Sequence, residues 1–394
     1  MKVLALLSDC PWPSNTGSRV RNAFLWPALQ RLGVDVRLLA LDQGHTSIVR
    51  NHTGDARGGV DIELHALDRE RLPARAWHAL TRSYHQWPAS RSLRRRVDDY
   101  ASAWHPDVIH AEELRMAAYV PDRRHLPRSL RTVTLHNVES DLLRRTGSTA
   151  VRRGRSLIEL LHRGSLTRFE RRAVLAADLA FAYSQADLER YRQLVPGGRW
   201  AATRNGTHAA AIVPTPPPEP PAVLLLGSLG YAPNVEGLYW FLDRVLPLLP
   251  AGLPVTVAGS RAPGEVRRRL ARARVRFEDS PDEVAPLYAA HAISVVPVFQ
   301  GSGTRGKILE ALAYERAVVT TTPGVSGLEL AEGEGYVVAD DAEAFASRVA
   351  RLAAAPVERA ALAGRGRAAV LERYDWSVVA RDLLAAWSTC EPRR

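Results

Sequence analysis

Pro214-Thr-Pro-Pro-Pro-Glu-Pro-Pro221 runs directly into Ala222-Val-Leu-Leu-Leu226 and then into Gly227-Ser-Leu-Gly230. Prolines this dense neither pair in a sheet nor continue a helix, so 213–222 reads as a semi-rigid spacer. The apolar segment behind it reads as a buried strand that ends in a glycine-shaped turn. That arrangement recurs on both sides of the spacer. Before it, Lys2–Ser8, Asp35–Ala40, Asp61–Ala66, Asp107–His110, Arg131–His136 and Leu179–Ser184 are strand candidates, with helical stretches such as Val20–Leu32 and Ala186–Leu194 between them. After it come a helix at Val235–Leu246 and strands at Pro254–Ala258, Val275–Glu278, Ile293–Val298 and Ala317–Thr321. Short apolar strands alternating with helix-period segments specify parallel α/β layers. The expected fold class is therefore α/β, with two Rossmann-like domains, 1–212 and 223–375, facing a central cleft, and a final segment at 376–394.

Composition narrows the function. Hydrophobic residues make up 46% and charged residues 24% of the 394, ordinary for a globular enzyme. No apolar run approaches the ~20 residues that span a bilayer. Val3–Leu7 is too short for a signal-peptide core and reads as a first buried strand, which predicts a cytoplasmic chain. Cys10 and Cys390 offer neither a disulfide framework nor metal spacing, so free thiols are expected. The formal charge is +11, and all 53 basic side chains are arginine except Lys2 and Lys307. Aromatic residues are not interleaved with them, so the charge reads as a solvated basic surface rather than a nucleic-acid track. Contact with an anionic lipid surface at the inner face of a membrane stays open.

Ligands of open parallel sheets bind beyond the carboxyl ends of the strands, so the loops there carry the chemistry. The richest is Pro297-Val-Phe-Gln-Gly301-Ser-Gly-Thr-Arg-Gly-Lys307-Ile-Leu-Glu310. Gly301 and Gly303 let backbone amides approach a ligand, and the helix that follows adds partial positive charge suited to a diphosphate. Lys307 lies in its first turn, and Glu310 one turn later suits both hydroxyls of a ribose. The structural alternative is a glycine turn with a surface Lys–Glu pair. A second constellation runs from Gly227 through Asn234 to Gly237, and a third is Gly259-Ser-Arg261, whose guanidinium suits a bidentate phosphate contact. In the first half, His136 ends a strand, Gly17 sits in the loop after the first strand, and His110-Ala-Glu-Glu113 forms another strand-end cluster. Glu112 and Glu113 are adjacent and so are expected to point apart, which argues against a paired acid–base role.

Together these features resemble glycosyltransferase family 4, retaining enzymes with the GT-B architecture, and the likeness covers nearly the whole chain. It is closest to bacterial sugar transferases in which Gly-Ser-Gly-Thr-Arg precedes Lys-x-x-Glu, as Gly301 to Glu310 do here. Tyr231-x-Pro-Asn234, Gly259 and Asn205-Gly206 are similar to the same subgroup, and the helix from Trp376 resembles one that crosses back to the first domain. The resemblance implies an acceptor-side domain over 1–212, a nucleotide-sugar-binding domain over 223–375 and a returning helix and tail over 376–394. It implies donor contacts from Gly17, Gly227, Asn234, Gly259, Arg261, Gly301, Ser302, Gly303, Thr304 and Arg305. Lys307 would bind the diphosphate, Glu310 the ribose, and His136 would lie beside the transferred sugar. No cofactor and no obligatory metal are implied; the partners would be a nucleotide sugar and a hydroxyl acceptor of unspecified class. Ser302 stands where many members carry a glutamate, and His208 stands where the family's Asn-Gly-Val-Asp has its aspartate. A sugar-nucleotide 2-epimerase on the same architecture and a non-catalytic nucleotide-sugar binder remain alternatives. A dehydrogenase is disfavoured because Asp9-Cys-Pro-Trp-Pro-Ser14 lacks the Gly-x-Gly-x-x-Gly turn.

Overall fold

The computed structural model describes residues 1–12, 17–42, 59–66, 90–141, 156–300 and 306–393. They form two compact units, Met1–Arg204 with Val379–Arg394, and Asn205–Val378.

The first unit is built on strands β1 (Lys2–Leu7), β2 (Asp35–Asp42), β3 (Asp61–Ala66), β4 (Val108–Glu112), β5 (Leu130–Leu135), β6 (Leu179–Ala182) and β7 (Trp200–Ala202). Their order among the described residues is β3-β2-β1-β4-β5-β6-β7. Every pairing is parallel. Helices cover both faces of such a sheet, so its central strands read as continuous apolar runs. β1 obeys this: Val3 to Leu7 are fully buried. Leu7 is level with Ala40 and with Glu112, and Glu112 with Thr134. The residues that follow these strands therefore emerge along one edge, and the strand order reverses between β1 and β4.

The second unit repeats the plan with β8 (Val223–Leu226), β9 (Val255–Gly259), β10 (Arg276–Asp279), β11 (Ile293–Val296), β12 (Ala317–Thr320) and β13 (Tyr336–Val338). They run in the order β10-β9-β8-β11-β12-β13. Here the reversal falls between β8 and β11. The α/β expectation thus holds for both halves. β7 and β13 had no counterpart in the sequence reading: each is three residues long, half-exposed, and formed only because a neighbouring strand supplies its partner. The helix expected at Val235–Leu246 starts earlier, at Ala232 with Pro233 in its first turn. It runs as an α-helix to Trp240 and continues as a π-type turn, Phe241–Val245, that keeps Phe241 and Val245 in the core.

The proline-rich segment lies within the second unit. The Arg316 guanidinium donates to the Thr215 carbonyl at 3.0 Å and its hydroxyl at 2.9 Å, and Arg359 pairs with Glu219. Where the chain enters and leaves this unit, Thr207 N donates to Tyr374 O at 2.8 Å and Trp376 N to Thr207 O at 3.1 Å. A Cβ at Gly206 would come within 2.6 Å of the Trp376 ring, so the glycine lets the indole lie on the backbone. The final helix, Trp376–Thr389, begins in the second unit and ends in the first. Cys10 is buried, Cys390 is partly exposed, and both are free thiols. From residue 164 onward the helix Ser156–Ala176 buries Leu166 and Val174 in the first core. The side chains of 158–161 lie outside the described residues. Among those described, no helix is long and apolar enough to cross a membrane.

One glycine closes the second unit. A Cβ at Gly237 would lie 1.9 Å from the Pro297 carbonyl oxygen, a backbone atom that no rotamer change can move aside. Gly237→Ala is expected to destabilise the chain by about 1–3 kcal/mol in urea unfolding. Gly306→Ala, where an added Cβ meets nothing within 4 Å among the described residues, should leave stability unchanged or slightly raised. Equal midpoints for the two variants would contradict the packing argument.

Candidate functional site

In the first unit the strand ends assemble a buried polar network around Glu112. The Glu112 side chain is fully buried, as is that of Arg21, four residues into the helix Gly17–Arg31. Arg21 Nε donates to Glu112 Oε1 at 3.0 Å, and its remaining donors reach Arg204 O at 2.6 Å and Thr203 Oγ1 at 3.3 Å. Tyr183 OH donates to the same carboxylate oxygen at 3.1 Å, and His136 Nε2 lies 2.8 Å from it. The second oxygen meets His110 Nε2 at 3.1 Å. Burial pushes the Glu112 carboxyl up, but the Arg21 guanidinium and the hydrogen bonds from His110 and His136 outweigh it and hold the group well below the usual carboxylate range. Burial likewise lowers His110, so its imidazole is neutral near neutral pH.

An ionised carboxylate only accepts hydrogen bonds, so the network assigns the His136 proton to Nε2. The ring is stacked on Tyr183, centroids 4.5 Å apart, and is 16% exposed. Its Nδ1 lies 3.6 Å from Glu113 Oε1. This corrects the expectation that Glu112 and Glu113 point apart. β4 ends at Glu112, and Glu113 has a φ of +80°, so the strand alternation breaks and both carboxylates flank one imidazole. Glu113 is itself held by the Ser8 hydroxyl at 2.5 Å. Gly17 opens its helix, and a Cβ there would meet nothing within 4 Å among the described residues.

In the second unit three of the sequence-predicted residues converge. Lys307 Nζ donates to Asn234 Oδ1 at 2.8 Å, and Asn234 Nδ2 donates to Ser228 O at 2.8 Å. A Cβ on Gly227 would lie 2.5 Å from Lys307 Nζ and 3.2 Å from Asn234 Nδ2. Gly227 therefore gives the ammonium room at the end of β8, and Asn234 positions it with a carboxamide that carries no charge of its own. Gly259 fits the same way: its Cβ would stand 1.9 Å from Gly227 O, so the ends of β8 and β9 close only with glycine. Arg261 has a φ of +60° and lies against Gly230, and its guanidinium makes no ion pair among the described residues. Glu310 sits on the helix Gly306–Ala313, one turn beyond Lys307, and accepts from Tyr288 OH at 3.1 Å. Burial raises the Glu310 carboxyl, with Tyr288 and Lys307 opposing the shift. Tyr288 in turn stacks on Tyr314 with centroids 4.6 Å apart. Gly301, Ser302, Gly303, Thr304 and Arg305 lie outside the described residues.

Sequence reading missed Arg21, Tyr183 and Tyr288. Tyr183 had a usable signal, because it directly follows β6 at the same sheet edge as His136. Arg21 and Tyr288 had none: each reaches its carboxylate only through the fold.

Comparison with known proteins bears on the fold and the family. Residues 220–355 match the family of glycosyl transferases group 1. An uncharacterized 44.6 kDa protein in the cps region of Klebsiella pneumoniae is 29% identical over 139 residues, which is 32% of this chain and only 36% of that relative's length. Among solved structures, sucrose-phosphate synthase from Thermosynechococcus elongatus is 17% identical, with a TM-score of 0.69 and coverage of 98% of each chain. Anabaena HepE in complex with UDP-glucose is 15% identical, with a TM-score of 0.68, over 99% of this chain and 100% of that one. These similarities show the fold, two Rossmann-like α/β units of the GT-B class.

The fully buried Glu112 and the half-buried Glu310 differ in how they couple stability to pH. Glu112→Gln leaves the Arg21 charge buried without its counter-ion, and should cost about 3–5 kcal/mol at neutral pH. Because the folded-state value of Glu112 is depressed, its contribution is present above the unfolded value of about 4.3 and is lost as pH falls through the folded one. The gap between wild type and variant should therefore narrow in acid denaturation series; a constant gap would contradict the assignment. Glu310 has the opposite sign. Its folded-state value is raised, so stability falls as pH climbs from about 4.3 through that value. Glu310→Gln should melt higher than wild type at neutral pH and equal to it in acid, whereas a lower melting point at neutral pH would refute the buried-charge reading.

Proposed function

We propose that this chain is a retaining glycosyltransferase, of a kind with family 4, that moves a sugar from a nucleotide-sugar donor to an acceptor hydroxyl without a resident metal. The observation that carries the reading is the convergence of Gly227, Asn234 and Lys307, with Glu310 one helical turn beyond Lys307, past the strand ends where the second sheet reverses its order. They fall inside the 220–355 segment that matches group 1 glycosyl transferases. A neighbour in fold is described in complex with UDP-glucose, which supports a nucleoside-diphosphate sugar as the donor.

In this reading the Lys307 ammonium takes the donor diphosphate, and the half-buried Glu310 carboxylate, braced by Tyr288, takes the ribose hydroxyls. The amides at Gly301 to Arg305 would serve the sugar and phosphate, and Gly17 is proposed as a further donor contact. Arg261 is a further phosphate ligand in the proposal. His136, with Nε2 committed to Glu112, is the group proposed to contact the transferred sugar. The C1–O bond to the β-phosphate breaks, the acceptor hydroxyl bonds to C1 on the same face, and its proton passes to the departing phosphate oxygen. Preorganised positive charge at the leaving group is the main source of rate, because it meets charge that develops only as the bond breaks.

Turnover of the preferred nucleotide sugar tests this. Lys307→Ala should lower kcat by roughly 10²–10³-fold, the scale for removal of one preorganised donor, with the circular dichroism spectrum unchanged. A chelator should leave the wild-type rate intact. Near-full activity in Lys307→Ala, or clean isomerisation of the donor with no transfer to any acceptor, would overturn the proposal.

A further inference from the structure

The first unit carries a cavity of about 520 Å³ on the side of the sheet away from His136. Arg131, the second residue of β5, lines it, while His136 follows the last residue of that strand. The two are thus separated by nearly the full strand, roughly 16 Å at the usual rise per residue. Ligands of the reaction in open parallel sheets sit at the carboxyl ends of strands, so this cavity is at the wrong edge for a substrate.

Its walls divide into an apolar part, including Val133 and Leu175, and a basic part made by Arg94, Arg123, Arg131 and Arg393. Arg131 is only 6% exposed, and neither its Nε nor its Nη2 has a hydrogen-bond partner among the described residues. The same holds for Arg123 Nη1 and Arg393 Nε. The nearest carboxylate is already occupied. Asp178, fully buried, pairs with Arg123 and accepts from the backbone amides of Arg131 at 2.8 Å and Arg393 at 2.6 Å. Asp122 also lines the cavity. Four guanidinium groups against these two carboxylates leave a formal excess of two positive charges. Burial and the neighbouring Arg123 disfavour the charged form of Arg131, and Asp178 and Asp122 offset them only in part.

The geometry points to an effector site in which this cavity binds a small phosphate monoester, its dianion on the guanidinium groups of Arg131, Arg123 and Arg393 and its organic part against Val133 and Leu175. The charge matches a monoester near neutral pH, and planar guanidinium groups suit bidentate contact with phosphate oxygens. The volume exceeds what a bare phosphate needs, and the apolar wall favours an ester over the inorganic ion. Because Arg393 lies in the tail and Arg131 in the sheet, an occupant would tie the end of the chain to the strand edge.

Phenyl phosphate is a suitable probe, titrated calorimetrically into the full chain at constant ionic strength, with inorganic phosphate, phenol and phosphatidate vesicles as comparisons. The expected result is saturable binding of phenyl phosphate, weaker binding of inorganic phosphate and none of phenol. Arg131→Met should abolish that binding and raise the melting temperature of the unliganded chain, since it replaces a buried guanidinium with two unmet donors by an apolar side chain of similar reach. A structural cation would do the reverse. Arg94→Gln, at an exposed position, should weaken binding without altering the melting point. Lys307→Ala should bind phenyl phosphate as wild type does, which separates this site from the proposed donor site. Absence of saturable binding, unchanged binding in Arg131→Met, a lowered melting point in that variant, or binding to phosphatidate vesicles alone would each overturn the inference.

Discussion

The second unit is organised by how closely three backbone segments approach around Gly227. Gly259 lies beneath the Gly227 carbonyl, Gly237 lies against the carbonyl of Pro297, and Lys307 Nζ hangs where a Gly227 side chain would be. The first two contacts are to backbone oxygens and shorter than any Cβ tolerates, so they require glycine, whereas a Cβ at Gly227 would displace the Lys307 ammonium. Their joint effect is to draw the helices Ala232–Trp240 and Gly306–Ala313 onto the ends of β8 and β11. Asn234 on the first helix then meets Lys307 on the second. The position of a single ammonium group is thus set by the sheet topology and by side chains that are missing. A parallel sheet can in this way hold a positive charge fixed beyond its strand ends.

The first unit places the opposite charge in the opposite setting. Glu112 is sunk beneath His136 and held ionised by Arg21, so it acts through the imidazole instead of meeting solvent. A buried ion pair contributes little net stability against an apolar core, but removal of either member leaves an expensive charge behind. Such a pair is a costly way to build a core and an effective way to hold a histidine in one tautomer and one orientation. Stacking on Tyr183, which is also hydrogen-bonded to Glu112, removes the remaining rotational freedom. Of the two carboxylates beside His136, one fixes the ring and the other, Glu113, stands at its outer nitrogen.

Much of this was legible in the sequence, and the part that was not shares one physical character. Apolar runs such as Val3–Leu7 and Ala222–Leu226 announce buried parallel strands, because only strands covered on both faces lack alternation. The meeting of Gly227, Asn234 and Lys307 was readable as a cluster because all three fall in strand-to-helix turns at the carboxyl ends of strands. The Glu112 network was not readable: Arg21 and Tyr183 lie 91 and 71 residues from it, and only the fold brings them together. The adjacency of Glu112 and Glu113 even pointed the wrong way, since a positive φ at the end of β4 breaks the alternation that sequence reasoning assumes. The basic cavity was hidden by composition. In a chain where nearly every cation is arginine, nothing distinguishes Arg131 until its burial and its unmet donors are seen.

The central claim is that the cluster around Lys307 receives a nucleoside-diphosphate sugar. Calorimetric titration of the wild-type chain with UDP-, GDP-, dTDP- and ADP-sugars tests it most directly. The account predicts saturable binding of one nucleotide family, displaced by the matching nucleoside diphosphate. Failure of every nucleotide sugar to bind, or binding of all of them with equal and purely salt-dependent weakness, would contradict it.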